Sequence, residues 1–506
     1  MLNSIGEVLP NAARRFGDKT ALVNEARSFS FRELDGLSGA LAASLVKLGI
    51  EPGDRVTLYA PNSWEWIVSY YGALKAGAVI NPVNVMLTPA EVAYVTKDCG
   101  AKALIGSPDK IALALAAGVA GLKTIVFGET SVPGTTAFDE LVAKPAAFEP
   151  VAVDPQAVST IGYTSGTTGH PKGAMQSHRA VLLNGAMTAQ LHAKSSLDTV
   201  VTALPCPHVY GNVVFNGAML YGLKLVLHFR FDAAEILTGI QTHQATMFEG
   251  VPTMYMYMLA HPDFDKFDLS SLTRCTVGGQ TMPVAKMAEV EQRFGCPLIE
   301  LWGMTELAGL GTTFPSNGPH KLGSIGIALP YVEARIADVA DASKTMPRGE
   351  VGELMIRGPI VMQGYYGNEA ATRETIEPDG WLHSGDLASM DDEGAIFIVA
   401  RKKDMINTGG FKIFPAEIER VVAAHPTVAM VAVGGRPDEL KGEIAKAYVV
   451  LKPGLAGDAE DILALCRKEL AAYKVPREVQ FVPDLPKTST GKIMRRELHK
   501  LDRGPG

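Results

Sequence analysis

Between Ile161 and Ala180 the chain reads IGYTSGTTGHPKGAMQSHRA. Hydroxyls, glycines and one lysine crowd into a single short loop. Thr164, Ser165, Thr167 and Thr168 offer O–H donors, and Lys172 offers a cation. Gly166, Gly169 and Gly173 permit backbone conformations closed to other residues, so successive N–H groups can turn inward around an anion. That chemistry is phosphate binding. A bare glycine–serine loop is more often a solvated surface turn. Here Lys172, Pro171 and the β-rich run VSTIGYT just before the loop shift the reading to phosphate. The Walker A spacing is absent, because Lys172 follows Pro171 and precedes Gly173. Ser177 is placed to cap a helix starting at His178, which gives the loop a strand–loop–helix setting.

Such a loop needs a scaffold. A chain of 506 residues exceeds one compact core and implies two or three domains. Ser30 and Glu33 have capping-box spacing, and Leu34, Leu37, Leu41 and Leu45 follow at helical intervals. RVTLYA, AKALIG and LKTIVFG read as buried strands between helical stretches, so the layers are α/β. Residues 132 to 156 read as a connection, and 158 to 399 alternate strand and helix again. The last hundred residues change character. AMVAVGG, IAKAYVVLKPG and EVQFVPDLP read as strands, PAEIERVVAAH and AEDILALCRKELAAY as helices. This is a small α+β domain, and the charged segment ARKKDMIN (400–407) is the candidate hinge before it.

Composition excludes several classes. The net charge of −7 argues against a nucleic-acid partner. The apolar stretch WIVSYYGALKAGAVINPV is interrupted by Lys75, glycines and Pro82, so no integral membrane association is expected. The N-terminal residues lack the apolar core of a signal peptide. Cys99, Cys206, Cys275, Cys296 and Cys466 form no C-x-x-C pair and suggest neither zinc site nor disulfide framework. A cytoplasmic protein with reduced thiols is the expectation.

YTSGTTGHPKG resembles the phosphate-loop signature of the ANL superfamily of adenylate-forming enzymes, which includes acyl-CoA synthetases, adenylation domains and beetle luciferases. LWGMTE (301–306), GELMIRGP (352–359), GWLHSGD (380–386), ARKKDMINTGGFKIFPAEIE (400–419) and PKTSTGKIMRR (486–496) resemble further motifs of that family in the family's order. The first 150 residues agree in general layout only. The resemblance implies an α/β fold. Its large N-terminal domain, 1–400, would have several α/β layers and a small β-rich subdomain. A hinge at 401–404 would join it to a small, mobile α+β domain, 405–506. It also implies an AMP-forming acid–thiol ligase. A carboxylate attacks the α-phosphate of ATP to give an acyl-adenylate and pyrophosphate, and the thiol of coenzyme A then displaces AMP. An anionic nucleophile approaching a polyanion needs cations and oriented donors.

Roles follow from the matched motifs. Glu306 resembles the Mg²⁺-holding glutamate and Thr305 the hydroxyl on the α-phosphate. Asp386 and Arg401 resemble the ribose contacts, although a lone Asp or Arg is usually a surface charge. Gly279 and Gln280, in TVGGQTMP, and Leu301 and Trp302 resemble the adenine-pocket segments. Trp302 stands where tyrosine is usual and its ring could still stack on a base. Lys492 resembles the adenylation lysine of the small domain, and the glycine before it sets it apart from a basic tail. Lys403 takes the hinge position. Gly409, Gly410 and Lys412 would serve coenzyme A in the second half-reaction, with Lys474 and Arg477 as weaker candidates. His208 resembles the histidine at the acyl pocket entrance, against the alternative of a satisfied core histidine. The reading allows a homodimer and a lysine acetyltransferase acting on Lys492, which would delete its charge.

The acyl pocket is expected from HVYGNVVFNGAML, FEGVPTMY and GMTELAGLG, with Tyr210, Phe215, Phe248, Gly303 and Met304 as lining residues. Mostly apolar, it suits a monocarboxylate, either a medium-chain fatty acid or a hydroxycinnamate-type aryl acid. Malonyl-CoA synthetases resemble this chain but carry arginine where it has Leu301, so no cation is offered to a second carboxylate. The rival readings are an acyl-AMP ligase loading a carrier protein, a luciferase-like oxygenase and a nucleotide-binding protein without turnover.

Overall fold

The Ser30 signal is realised in full. Ser30 Oγ accepts from the Glu33 amide at 3.2 Å, and the Glu33 carboxylate accepts from the Ser30 amide at 2.7 Å. The helix so capped, Phe31–Lys47, buries Leu34, Leu41 and Leu45 completely and packs against the helix Trp64–Lys75. The structure is a computed structural model describing residues 2–128, 132–164, 171–408, 411–438, 440–487 and 493–502.

The chain divides into two compact units, residues 1–334 with 356–382, and residues 335–355 with 383–506. Among the described residues, the first unit is built on two large sheets. The seven-stranded one contains Arg55–Tyr59, Val79–Pro82 and Ala101–Gly106 in parallel, as the RVTLYA and AKALIG runs predict. Val158–Thr164 joins it parallel to Val79–Pro82. The nine-stranded sheet carries Thr199–Thr202, Met247–Gly250, Arg274–Gly278 and Leu298–Met304 side by side and parallel, then Gly309–Thr313 antiparallel. The helices His178–Leu191 and Val209–Tyr221 pack on each other, and both pack against Gly309–Thr313.

Two local departures from the sequence reading matter. The segment after the phosphate loop is a strand, Lys172–Ser177, antiparallel to Val158–Thr164, so the setting is strand–loop–strand–helix. Ser177 still caps the helix at His178, accepting from the Ala180 amide at 3.1 Å. Within the expected connection 132–156, Phe138–Val142 is a short helix, because Phe138 is fully buried against Phe127 and Trp64.

The second unit contains the strand Ile396–Arg401 and all but the first residue of the strand Leu382–Met390, which pair antiparallel from residue 386 onward. It also holds a five-stranded sheet covered by the helices Pro415–Ala423 and Ala459–Glu469. Its core gathers Ile406, Ile418, Val433, Val449, Ile462 and Cys466.

Candidate active site

Thr164 and Lys172 end the two strands of the hairpin as directly opposed residues. Ser165, Gly166, Thr167 and Thr168, on the connection between them, lie outside the described residues. The Lys172 ammonium stands 5.4 Å from the centre of the Tyr365 ring, a cation–π distance. The Tyr365 hydroxyl donates to Glu306 Oε1 at 2.8 Å, and Thr164 Oγ1 donates to the same oxygen at 3.5 Å. Thus Thr164, Lys172 and Glu306, chosen from sequence, meet around a tyrosine that was not. Met362–Tyr366 runs beside the strand Lys172–Ser177. The Met175 amide donates to Gly364 O, the Tyr366 amide to Gly173 O, and the Met362 amide to Glu306 O.

Glu306 is 7% exposed. Among the described residues it has hydroxyl donors and no ion-pair partner. A buried carboxylate with no ion-pair partner among the described residues fits a divalent cation, and Mg²⁺ takes one or two carboxylates plus substrate phosphates. Burial, and then the Glu306 charge, holds the Tyr365 phenol well above its usual range, so it serves as a neutral donor.

Thr305 opens the short 3-10 turn Thr305–Leu307 that carries Glu306. Its carbonyl accepts from Gln176 Nε2 at 2.9 Å. The approach to the hairpin is close: a Cβ at Gly162 would stand 2.7 Å from Thr305 Cγ2. Gly303 and Met304 end the strand that precedes the turn. Trp302 is buried, and a Cβ at Gly311 would stand 2.7 Å from its Cζ3, so the indole edge lies against that glycine. Leu301 lies over Gly278, the last residue of its strand, with Gly279 and Gln280 immediately beyond. Just before them, Glu300 is buried, and burial pushes its carboxyl up to about 7.

His208 is the N-cap of the helix Val209–Tyr221, its Nδ1 accepting from the Tyr210 amide at 3.3 Å. It is exposed rather than packed in the core. The three aromatic residues expected in the acyl pocket part company. Tyr210 bonds Thr276 Oγ1 at 2.6 Å, and Thr276 donates to Glu249 Oε2 at 3.3 Å. Phe248, next to Glu249 on the same strand, points to the other face of the sheet, where its ring packs on Tyr255. Phe215 sits in an aromatic cluster with Trp66, Tyr70 and Tyr71. The β-strand residue facing Tyr210 is therefore Glu249, and its carboxylate pairs with the buried Lys194 ammonium. A cation is thus present beneath the helix, already neutralised by Glu249.

In the second unit, Asp386 and Arg401 are opposed across their strand pair, with Arg401 Nε 2.7 Å from Asp386 Oδ1. Glu353 accepts from His383 Nδ1 at 3.1 Å and Lys402 Nζ at 2.9 Å. Burial alone would raise its carboxyl; these two partners outweigh it and hold it below the usual range. Lys402–Asp404 form a 3-10 turn that leads into the strand Ile406–Thr408. The side chains of Lys403 and Lys412 lie outside what the structure describes, as do Gly409, Gly410 and Lys492. Beyond Lys492, Arg495 bonds Glu419 of the helix Pro415–Ala423 at 2.6 Å and anchors that segment. Lys474 is paired with Glu417 at 2.8 Å.

The arrangement collects hydroxyl donors, a lysine and a buried carboxylate where two strands and a short turn meet. Donors and a cation set beside a buried carboxylate suit an anion such as phosphate together with a divalent cation. The chain belongs to the AMP-binding enzyme family, whose model matches residues 9–366, followed by the AMP-binding enzyme C-terminal domain over 417–492. Within the adenylate-forming superfamily it lies on the CoA ligase branch and is an AMP-forming acid–CoA ligase. A long-chain-fatty-acid–CoA ligase of Bacillus subtilis (strain 168) is 33% identical to it over 98% of this chain and 94% of that protein. A 3-[(3aS,4S,7aS)-7a-methyl-1,5-dioxo-octahydro-1H-inden-4-yl]propanoyl:CoA ligase of Mycobacterium tuberculosis (strain ATCC 25618 / H37Rv) is 35% identical, covering 99% of both. The crystal structure of the anthranilate CoA ligase AuaEII with anthranoyl-AMP superposes with a TM-score of 0.92 at 29% identity, covering 99% of this chain and 97% of that one. These matches agree with the large α/β domain and small C-terminal domain expected from sequence, and with ATP as a substrate. Among the described residues no helix is long and apolar enough to cross a membrane.

Proposed function

We propose that the chain activates a monocarboxylate with ATP and passes it to coenzyme A, with Mg²⁺ held at Glu306. The acid is apolar over most of its surface, a medium-chain fatty acid or a ring acid of hydroxycinnamate type. The observation that carries this reading is the buried Glu306, which accepts from Thr164 and Tyr365 and has no ion-pair partner among the described residues, with Lys172 over the Tyr365 ring. In the adenylation step Lys172 and the hydroxyls hold the phosphates. Thr305 orients the α-phosphate, while Asp386 and Arg401 hold the ribose. His208, outside the core at a helix start, orients the incoming carboxylate. Mg²⁺, when bound, would neutralise phosphate charge there. Lys492 supplies a compact point charge to the carboxylate and α-phosphate, and its acetylation would silence the first step. Lys403 is the pivot for the second, in which Gly409, Gly410 and Lys412 meet coenzyme A. The ion pair Lys194–Glu249 leaves no net positive charge for a second carboxylate, which favours a monoacid.

The test is pyrophosphate release and AMP formation with ATP, Mg²⁺ and a panel of acids, each with and without coenzyme A. Turnover that requires coenzyme A is expected. A single burst indifferent to it would point to a carrier-protein acceptor, and oxygen consumption to a luciferase-like reaction. Nucleotide binding with no pyrophosphate release would leave a binding protein. In Lys492→Ala, adenylation should fall far more than thioester formation from preformed acyl-AMP. Equal loss of the two half-reactions would remove Lys492 from this role.

A further inference from the structure

The hairpin that ends in Thr164 and Lys172 has two faces, because successive strand residues point to opposite sides. Gly162 and Gln176 meet Thr305 on one side. A Cβ on Gly162 would stand 2.7 Å from Thr305 Cγ2, and Gln176 Nε2 donates to the Thr305 carbonyl at 2.9 Å. Ile161 and Met175 are directly opposed, one residue away on each strand, and point the other way. There, with Val79 and Val158, they form the apolar floor of an open cavity of about 460 Å³. Tyr366 lines the same cavity, and its neighbour Tyr365 donates to Glu306. Every lining residue belongs to the first unit, and none of Thr164, Lys172, Thr305 or Glu306 is among them. The cavity therefore backs onto the elements that hold those four residues.

Two polar groups border this floor with capacity to spare. His178 lines the cavity and is 1% exposed. Its Nδ1 accepts from the Ile5 amide at 3.2 Å, so the neutral ring carries its proton on Nε2, the nitrogen turned away from Ile5. Burial holds the ring at about 4, which keeps it neutral near pH 7. Among the described residues that N–H has no acceptor, and a buried donor left unmatched is costly. Arg55 spends three of its five N–H groups on backbone carbonyls: Nε on Cys99 at 2.6 Å, Nη1 on Gly53 at 3.1 Å and Nη2 on Gly100 at 2.9 Å. Among the described residues no carboxylate pairs with it, so its charge lacks a counter-ion and two N–H groups remain. Asp154, the carboxylate in the lining, is exposed, and its Oδ1 accepts from the Gln156 amide at 2.8 Å.

A concave apolar floor with a few convergent polar groups is the usual build of a small-molecule site. A cation without a counter-ion and an unmatched buried donor call for an acceptor that carries negative charge. The apolar floor calls for a hydrocarbon body. Both demands are met by one amphipathic anion, its head on Arg55 and His178 and its body on Val79, Ile161 and Met175.

We propose that this cavity is a second, regulatory site, which takes a compact molecule with an apolar body and one carboxylate or comparable anionic head. Occupancy presses on the back of the hairpin. The front has no slack where Gly162 meets Thr305, so Thr164 and Lys172 shift relative to Glu306 and ATP is used less well. The inference does not depend on which acid the enzyme activates.

The probe is octanesulfonate, which has such a body and head and no carboxylate to activate, with octanol as the uncharged control. KM for ATP is measured by pyrophosphate release, with an acid that supports turnover and coenzyme A both saturating, so that competition for the acid's own site is suppressed. The sulfonate should raise KM for ATP by about fivefold or more, and the alcohol should leave it nearly unchanged. Ala157→Leu extends a lining side chain into the cavity. It should keep the wild-type KM without probe and lose the response. Arg55→Met should lose the response too. Should Arg55→Met fail to fold because the carbonyls of Cys99 and Gly100 lose their donor, Arg55→Lys retains the charge and should give a weakened response. Occupancy is read directly by NMR of the histidine-labelled enzyme. The signal that is missing in His178→Asn should shift when the sulfonate is added to the wild type, and stay in place in Ala157→Leu. A response of equal size in folded Ala157→Leu puts the sulfonate elsewhere and overturns the proposal. A His178 signal that does not move in the wild type overturns it as well, and one that moves with KM unchanged overturns the link to the hairpin.

Discussion

At the residue scale the site turns on how one carboxylate is kept ready. Glu306 is buried, yet among the described residues its partners are hydroxyl donors rather than an ion pair. An arginine in that place would have quenched it. Tyr365 links the two charged groups, its hydroxyl on Glu306 and its ring under Lys172. Tyr365→Phe keeps the ring and removes the hydroxyl. A hydrogen bond to a charged group contributes roughly 1.5–3 kcal/mol, so kcat/KM for ATP should fall by about tenfold to a hundredfold. Glu306→Gln should fall further, since it deletes the charge itself. Steady-state kinetics with ATP varied and the acid saturating will show this. ATP kinetics unchanged in Tyr365→Phe would mean that the phenol does not serve Glu306.

At the scale of elements, precision comes from two strands and a turn held very close. Gly162 lies where the hairpin meets Thr305, with no room for a methyl group. In Gly162→Ala the displaced Thr305 should drag the turn that carries Glu306. Overpacking of this kind costs about 1–3 kcal/mol of stability. The loss of ATP turnover should exceed what the lost stability explains, because the fold absorbs the methyl by moving the turn. Circular dichroism melts beside pyrophosphate assays separate the two effects; full activity at reduced melting temperature would place the strain elsewhere. Much at this scale was legible beforehand. The Ser30–Glu33 box, the Ser177 cap and the strands at 55, 101 and 158 each depend on neighbours a few residues away. The hairpin strand Lys172–Ser177 was not legible, because its second partner, Met362–Tyr366, is remote in sequence, and so Tyr365 was missed with it. Which residue of the strand Met247–Gly250 faces Tyr210 was not legible for another reason. All four residues of Met247–Gly250 are buried, so the strand has no alternation to reveal that Glu249, not Phe248, faces Tyr210. In sequence, Lys194 and Glu249 look like any surface charges.

At the scale of the whole molecule, buried titratable groups set opposing responses to pH within the first unit. His178 is 1% exposed, accepts from the Ile5 amide through Nδ1, and is held by burial at about 4. Unfolding returns it to about 6.5, so the unfolded chain binds the extra proton and stability is lost as pH falls from 6.5 toward 4. Glu300 is 4% exposed and raised by burial to about 7, well above the unfolded value near 4.5. Here the folded chain binds the extra proton, so its contribution is present below 4.5 and is lost as pH rises through 7. Between pH 4.5 and 6.5 the two slopes oppose one another, and single substitutions should expose each. Glu300→Gln should stabilise relative to wild type increasingly from pH 4.5 to 7, by up to about 3 kcal/mol, and then level off. His178→Asn, which keeps an acceptor for the Ile5 amide, should show its relative gain in the other direction, growing from pH 6.5 down to 4. Urea melts of the two variants and the wild type across that range measure both differences. A Glu300→Gln difference that stays flat with pH would mean that the carboxyl titrates alike in the folded and unfolded protein and is ionised in the fold at neutral pH. The strand Leu298–Met304 would then carry a buried charge rather than a neutral side chain.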